Sequence, residues 1–201
     1  RGRDPGAAIE VVVSLVRQGI DLVEVSLTGA GALRVIEAAT RELGPGARLG
    51  AGTVLSVADV GRAVDAGARF VVTPALTDAV GECAARGIPV LAGSLSPTEV
   101  ASAVSAGATG VKLFPAGANG PGYLRALRDP FPGVAFVPVG GVDVDAARDY
   151  LAAGALAVGV GGPLVGDAAD GGDLASMRAR AARFRARIEA RSPPSAASPT
   201  S

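Results

Sequence analysis

The chain has 201 residues, 49% of them apolar, and nineteen basic side chains balance nineteen acidic ones. That length suits one domain around one core, while zero net charge and only 3% aromatic residues argue against nucleic acid or an anionic membrane surface as a partner. With no histidine and one cysteine, the sequence excludes a zinc site, a Ser-His-Asp triad, Cys-His catalysis and an internal disulfide, so acid–base chemistry falls to carboxylates, lysine, tyrosine or water.

In chain order, "RGRDPGAAIEVVVSLVRQG" reads as a loop and then a helix. Seven short apolar segments follow: "DLVEVSL" (21–27), "ARLGAGT" (47–53), "FVVTPAL" (70–76), "PVLAGSL" (89–95), "GVKLFPA" (110–116), "VAFVPVGG" (134–141) and "ALAVGVGG" (155–162). Their starts lie 19 to 26 residues apart, the span of one compact βα unit. The intervening Ala-rich helices stop at Ala-Gly-Ala triplets (66–68, 106–108, 153–155), where glycine takes the left-handed conformation after the last turn. Pro97 and Asp143 stand where helices start, the first as an early helical residue and the second as a capping acceptor. Cys83, in "GECAARG", is expected to be an inert core residue. The helix "LASMRARAARFRARIEAR" (174–191) is expected to carry a solvated arginine face, and "SPPSAASPTS" (192–201) reads as a disordered tail.

Alternating strands and helices predict a parallel sheet with helices outside it. Seven strands are one short of a closed (β/α)8 TIM barrel, which is the expected fold for a single domain over residues 1–191, with the strand before Arg1 missing from this chain. An open doubly wound sheet is the alternative, disfavoured because no G-x-G-x-x-G follows an early strand. No apolar run reaches the roughly 20 residues that cross a bilayer, and the lone cysteine suits reducing cytosol.

Strand residues alternate faces. Val23, Val25 and Leu27 form one apolar row to pack under helices, which sends Glu24 and Ser26 to the lumen. Val111, Leu113 and Pro115 do the same in the fifth segment, sending Lys112 and Phe114 inward. Lys112 is the chain's one lysine among eighteen arginines. Arginine stays protonated, whereas a desolvated lysine can lose its proton and act as a nucleophile. A Glu24–Lys112 pair could merely satisfy itself, but buried pairs are replaceable by apolar residues at little cost, so its presence points to use. Thr53, Pro74, Phe114, Gly140-Gly141 and Gly161-Gly162 fall at strand ends, the face where barrel sites form. The two glycine pairs suit backbone amides approaching a phosphate, aided by a helix starting near Pro163.

In their order and spacing, "GIDLVEVSL", "GAGTVL", "FVVTPAL", "GVKLFPAGANGPGYLRAL", "FVPVGGV" and "VGVGGPLV" resemble the 2-keto-3-deoxy-6-phosphogluconate (KDPG) aldolases and the related 4-hydroxy-2-oxoglutarate (KHG) and 2-keto-3-deoxy-6-phosphogalactonate aldolases, from about residue 7 to residue 166. The resemblance implies a (β/α)8 barrel, a homotrimer, a small keto-acid substrate and a Schiff-base mechanism without metal or cofactor. It implies Lys112 as the imine-forming lysine and Glu24 as general acid/base. It also implies Thr53 against the pyruvate carboxylate, Pro74 and Phe114 lining the pyruvate pocket, and Gly140, Gly141, Gly161 and Gly162 at the phosphate. Two positions depart from the family pattern. Thr28 stands where an arginine clamps the carboxylate, and Pro163, lacking hydroxyl and N–H, stands where a serine meets the phosphate; Arg1 or Arg3 is a candidate to replace the lost charge. The expected activity is cleavage of a 2-keto-3-deoxy-6-phospho sugar acid, the phosphogluconate first, to pyruvate and glyceraldehyde 3-phosphate. A KHG or phosphogalactonate aldolase, or a non-catalytic barrel that binds keto acid or phosphate, are the alternatives.

Overall fold

A computed structural model describes residues 2–189; the expected tail at 192–201 lies outside them. The elements alternate from the start: α1 Pro5–Arg17, β1 Leu22–Ser26, α2 Ala32–Leu43, β2 Arg48–Gly52, α3 Val57–Asp65, β3 Phe70–Val72, α4 Asp78–Ala85, β4 Val90–Ser94, α5 Pro97–Ser105, β5 Gly110–Leu113, α6 Gly120–Arg128, β6 Phe136–Pro138, α7 Val144–Ala152, the short α8 Gly162–Val165, and α9 Leu174–Glu189. The helix boundaries follow from local chemistry. Asp4 accepts from the amides of Gly6 and Ala7 to start α1, with Pro5 in its first turn. Ser56 with Asp59, and Ser96 with Glu99, close capping boxes on α3 and α5. Asp143 caps α7, and Gly67, Gly107 and Gly154 take positive φ after α3, α5 and α7, as the triplets predict.

The strands pair in parallel in the order β1-β2-β3-β4-β5-β6. Each strand lies beside its predecessor without a reversal, so every crossover carries its helix to the same side. A doubly wound sheet reverses its order at a switch point, so that alternative is excluded. The result is a curled parallel half-barrel with helices outside it. The seventh expected strand, 155–162, is a correction: it contributes a single parallel bridge, Val139 to Gly159, and no named strand. Three of its eight residues, Gly159, Gly161 and Gly162, are glycine, which loses the most backbone freedom on pairing, and no strand flanks its other side among the described residues. A full eight-stranded closure is therefore not seen among the described residues.

The outward strand residues and the inward helix faces make one core. Val23, Leu49, Val71, Val90, Val111 and Leu113 are buried against Val35, Ile36, Val60, Val80, Val100 and Leu124. Cys83 joins this core, its thiol pushed up to about 11 chiefly by desolvation. The α9 arginines face solvent at their stems, yet four reach back to the fold. Arg178 donates to Ser14 Oγ, Arg180 to the carbonyls of Leu164 and Val165, Arg185 to the carbonyl of Gln18, and Arg187 to Asp145. The expected solvated face holds, since Arg178, Arg183, Arg185 and Arg187 are exposed, and four of its arginines also serve as side-chain clamps. Among the described residues no helix is long and apolar enough to cross a membrane.

Candidate active site

The concave face of the sheet is set by strand parity and register. Gly93 of β4 pairs with Lys112 of β5, and Lys112 pairs with Val137 of β6, so these residues share one face. At the other end of the strand order the same face continues, where Glu24 pairs with Gly50 and Ser26 with Gly52. Lys112 is buried to 6% exposure, the one buried lysine or arginine of the described residues. Its Nζ lies 5.0 Å from the centroid of the Phe114 ring, a cation–π distance for the charged form.

Glu24 keeps solvent contact on the free flank of β1, the end strand of the sheet. Protein nevertheless crowds its carboxyl: desolvation raises the pKa, and the charge of Lys112 pulls the other way. Lys112 and Glu24 thus act on one another electrostatically, as their shared lumen face predicts. Gly52 creates the space for this carboxyl, since a Cβ there would stand 2.7 Å from Glu24 Oε1. Gly50 does the same for the ring of Phe70, whose atoms would lie 2.4 Å from a Cβ at 50.

At the carboxyl end of β2, Thr53 has φ 58°, a left-handed conformation unusual for a β-branched residue. Its hydroxyl lies 2.9 Å from Ser26 Oγ, which lies 2.9 Å from Thr28 Oγ1. Thr28 is exposed, and Arg3, a candidate to stand in for the family arginine, is engaged by Asp170 instead, through its amide at 2.6 Å and its guanidinium at 3.4 Å. Arg1 lies outside the described residues.

Beyond β3, Thr73 is fully buried and its hydroxyl accepts from the Gly93 amide at 3.2 Å. This bond holds the ends of β3 and β4 together where Pro74 passes over Gly93; a Cβ at 93 would meet the Pro74 carbonyl carbon at 2.2 Å. Pro74 is thereby fixed above the residue that pairs with Lys112. After β5, Phe114 precedes a cis Pro115. The Phe114 ring lies against Gly140, where a Cβ would sit 2.9 Å from it, and Gly117 donates to the Gly140 carbonyl at 2.7 Å. Gly140 and Gly141 have φ 92° and 74°, which glycine alone adopts without strain. Gly161 and Gly162 are exposed and open, with nothing within 4 Å of a Cβ at either. The Val139–Gly159 bridge sets the two glycine segments side by side at the same end of the sheet.

The structure therefore gathers Lys112, Phe114 and Gly140 in one cluster, with Glu24 electrostatically joined to Lys112, and Thr53 and Thr28 in a second cluster through Ser26. Gly161 and Gly162 touch neither. Four contributors escape the sequence reading: Gly52 and Gly93, which work by leaving room, Thr73, and Ser26 as a bridge. The alternation in "GAGT" does carry a signal, since it puts Gly50 and Gly52 on the face of Glu24. A cavity of about 80 Å³ runs along the free edge of β1, lined by Val11, Val12, Val23, Glu24, Ser26 and Val165 among others; Lys112 does not line it.

Comparison with known proteins now bears on this site. Residues 3–179 match the family model described as KDPG and KHG aldolase. A probable 2-dehydro-3-deoxy-6-phosphogalactonate aldolase from Rhizobium meliloti (strain 1021) is 38% identical over 176 residues, 87% of this chain and 83% of that protein. A solved structure described as native KDPGal superposes with a TM-score of 0.88 at 30% identity, covering 94% of this chain and 92% of the other. The KDPG aldolase of Legionella pneumophila, solved with pyruvate captured as a covalent carbinolamine intermediate, superposes with a TM-score of 0.77 at 27% identity over 94% and 89% of the two chains.

Proposed function

The chain belongs to the KDPG and KHG aldolase family, and from that premise we propose that it is a lysine Schiff-base aldolase cleaving a 2-keto-3-deoxy-6-phospho sugar acid to pyruvate and glyceraldehyde 3-phosphate. One observation carries the reading: the only lysine in the sequence is buried on the concave sheet face, and its charge reaches the carboxyl of Glu24.

As the neutral amine, Lys112 Nζ adds to C2 of the keto acid, and loss of water gives a protonated imine. Glu24, directly or through one water, takes the proton of the C4 hydroxyl. The C3–C4 electron pair moves into the imine, leaving an enamine and releasing the aldehyde. The same carboxyl returns its proton to C3, and water hydrolyses the imine to free pyruvate and the amine. Phe114 and Pro74 would line the pyruvate pocket, Thr53 and Thr28 would face its carboxylate, and the amides of Gly140, Gly141, Gly161 and Gly162 would meet the phosphate. A homotrimer of closed (β/α)8 barrels is the assembly the family resemblance implies, and light scattering on the eluted protein tests the trimer.

Two likenesses favour the phosphogalactonate over the phosphogluconate: the Rhizobium meliloti relative and the KDPGal superposition. The two substrates differ at C4, where Glu24 acts. Condensing pyruvate with glyceraldehyde 3-phosphate and reading the C4 configuration of the product by NMR separates them. Comparing kcat/KM for phosphorylated and unphosphorylated acids tests whether the phosphate counts, and 4-hydroxy-2-oxoglutarate belongs in that comparison.

The decisive test is intact mass after incubation with pyruvate and sodium borohydride. A single reduced adduct on Lys112, absent in Lys112→Arg, is expected, with turnover in that variant falling below detection. Normal turnover by Lys112→Arg would overturn the mechanism. A folded protein that binds pyruvate without forming an adduct would be a binding barrel instead.

A further inference from the structure

Three hydroxyls form a line at the carboxyl ends of β1 and β2: Thr28 Oγ1, Ser26 Oγ and Thr53 Oγ1, each 2.9 Å from the next. A hydroxyl has one proton to give and two lone pairs to receive with. Two hydrogen bonds among three hydroxyls therefore use two of three protons and leave one for an outside acceptor. Ser26 lies two residues beyond Glu24 on the same face and pairs with Gly52, which has no side chain to intervene. Thr53 is held at φ 58°, so its hydroxyl is aimed by its neighbours and not by its own preferred backbone.

We infer that Ser26 is a positioning residue for recognition of the substrate carboxylate. With a 2-keto carboxylate at Thr53, the line polarises in one direction, Thr28 donating to Ser26, Ser26 to Thr53, and Thr53 giving the spare proton to the ligand. Aligned donors strengthen one another, so neutral hydroxyls supply part of the hold that a cation at position 28 would give. The inference rests on the aldolase reading above and on Thr53 meeting the carboxylate.

The test is borohydride trapping of Lys112 across a pyruvate titration in the unaltered protein, Ser26→Ala, Ser26→Thr and Thr28→Val, with melting temperatures alongside. In Ser26→Ala the pyruvate concentration for half-maximal trapping rises about five- to tenfold, the size of one lost hydrogen bond, while the adduct at saturating pyruvate is retained. Thr28→Val, which removes only the far member, gives a rise of roughly two- to threefold. Ser26→Thr keeps a hydroxyl and stays within about twofold of the parent. If Ser26→Ala fails to fold, Thr28→Val at its exposed position carries the test. Unchanged half-saturation in the folded variants overturns the inference even if their melting temperatures fall, since a purely structural Ser26 would behave that way. No adduct in the unaltered protein overturns the aldolase reading and this inference with it.

Discussion

Gly52 leaves a hole one methyl wide beside Glu24, and the carboxyl occupies it. Because the obstructing atom is the end of a flexible side chain, Gly52→Ala is expected to leave folding nearly intact. It displaces the carboxyl proposed to transfer the protons, for which a shift of about 1 Å costs on the order of a hundredfold in rate. Steady-state kinetics should show kcat reduced with pyruvate trapping on Lys112 preserved; unchanged kcat would mean Glu24 does not act where it stands. The pH behaviour of Glu24 has a definite sign. Its folded pKa is raised above 4.5, by desolvation first and against the charge of Lys112, so the stability of its neutral form is complete below that value and is lost as pH rises through the folded pKa. Glu24→Gln, which cannot ionise, is expected to gain melting temperature relative to the parent between acid and neutral pH, while losing turnover. Equal pH dependence of melting in the two proteins would remove the desolvation argument. At this scale the sequence shows Lys112 by its rarity and Glu24 by parity along β1. Gly52 stays hidden because it works through absent atoms, and the Ser26–Thr53 bond stays hidden because Thr53 leaves the strand in a left-handed conformation that no alternation pattern encodes.

Elements at the catalytic end are fixed by their caps. Glu99 Oε2 accepts from the amides of Leu95 and Ser96 at 2.9 and 2.6 Å and from Ser96 Oγ at 2.9 Å, while Ser96 Oγ accepts from the Glu99 amide. This box turns the chain from β4, which carries Gly93, directly into α5. Ser96→Ala is expected to cost about 1 kcal/mol of unfolding free energy, the usual worth of an N-cap hydroxyl, read as a lower urea midpoint at constant slope. The bonds from the Ser96 and Leu95 amides hold the Glu99 carboxyl below its usual range. Its contribution is therefore present above the unfolded value and is lost as pH falls through the depressed one, so parent and Glu99→Gln should converge in stability in acid. A gap that persists there would assign the loss to packing instead. Helix starts and stops are legible because Pro, Ser, Asp and Ala-Gly-Ala act within one turn. The segment 155–162 does not form a strand because its pairing stops at the single Val139–Gly159 bridge, and local apolar character in "ALAVGVGG" cannot say how far a ladder to its neighbour will run.

Across the whole molecule, α9 ties the two ends of the described chain together. Arg178 and Arg185 bind α1 at Ser14 Oγ and the Gln18 carbonyl, the latter satisfying a group that the end of that helix leaves open. The same helix holds α8 through Arg180 and α7 through Arg187. These bonds matter because β1, bearing Glu24, is an end strand, and α1 is one of the elements packed upon it. Composition alone reads the arginine run as a solvated face, since which carbonyl a long side chain reaches is decided by packing across more than 160 residues of sequence separation. The double variant Arg178→Ala/Arg185→Ala is expected to lose about 1–2 kcal/mol, two charged hydrogen bonds discounted for solvent exposure. Hydrogen exchange should locate the loss, with amides of Val11–Leu15 in α1 exchanging faster and those of Val90–Ser94 in β4 unchanged. Arg41→Ala, which breaks only an exposed pair with Glu37 on one helix surface, serves as the comparison and is expected to change stability by less than about 0.5 kcal/mol. If the double variant behaves like Arg41→Ala, the α9 arginines are a solvated face and nothing more, and the packing of α1 alone holds the edge of the sheet on which Glu24 stands.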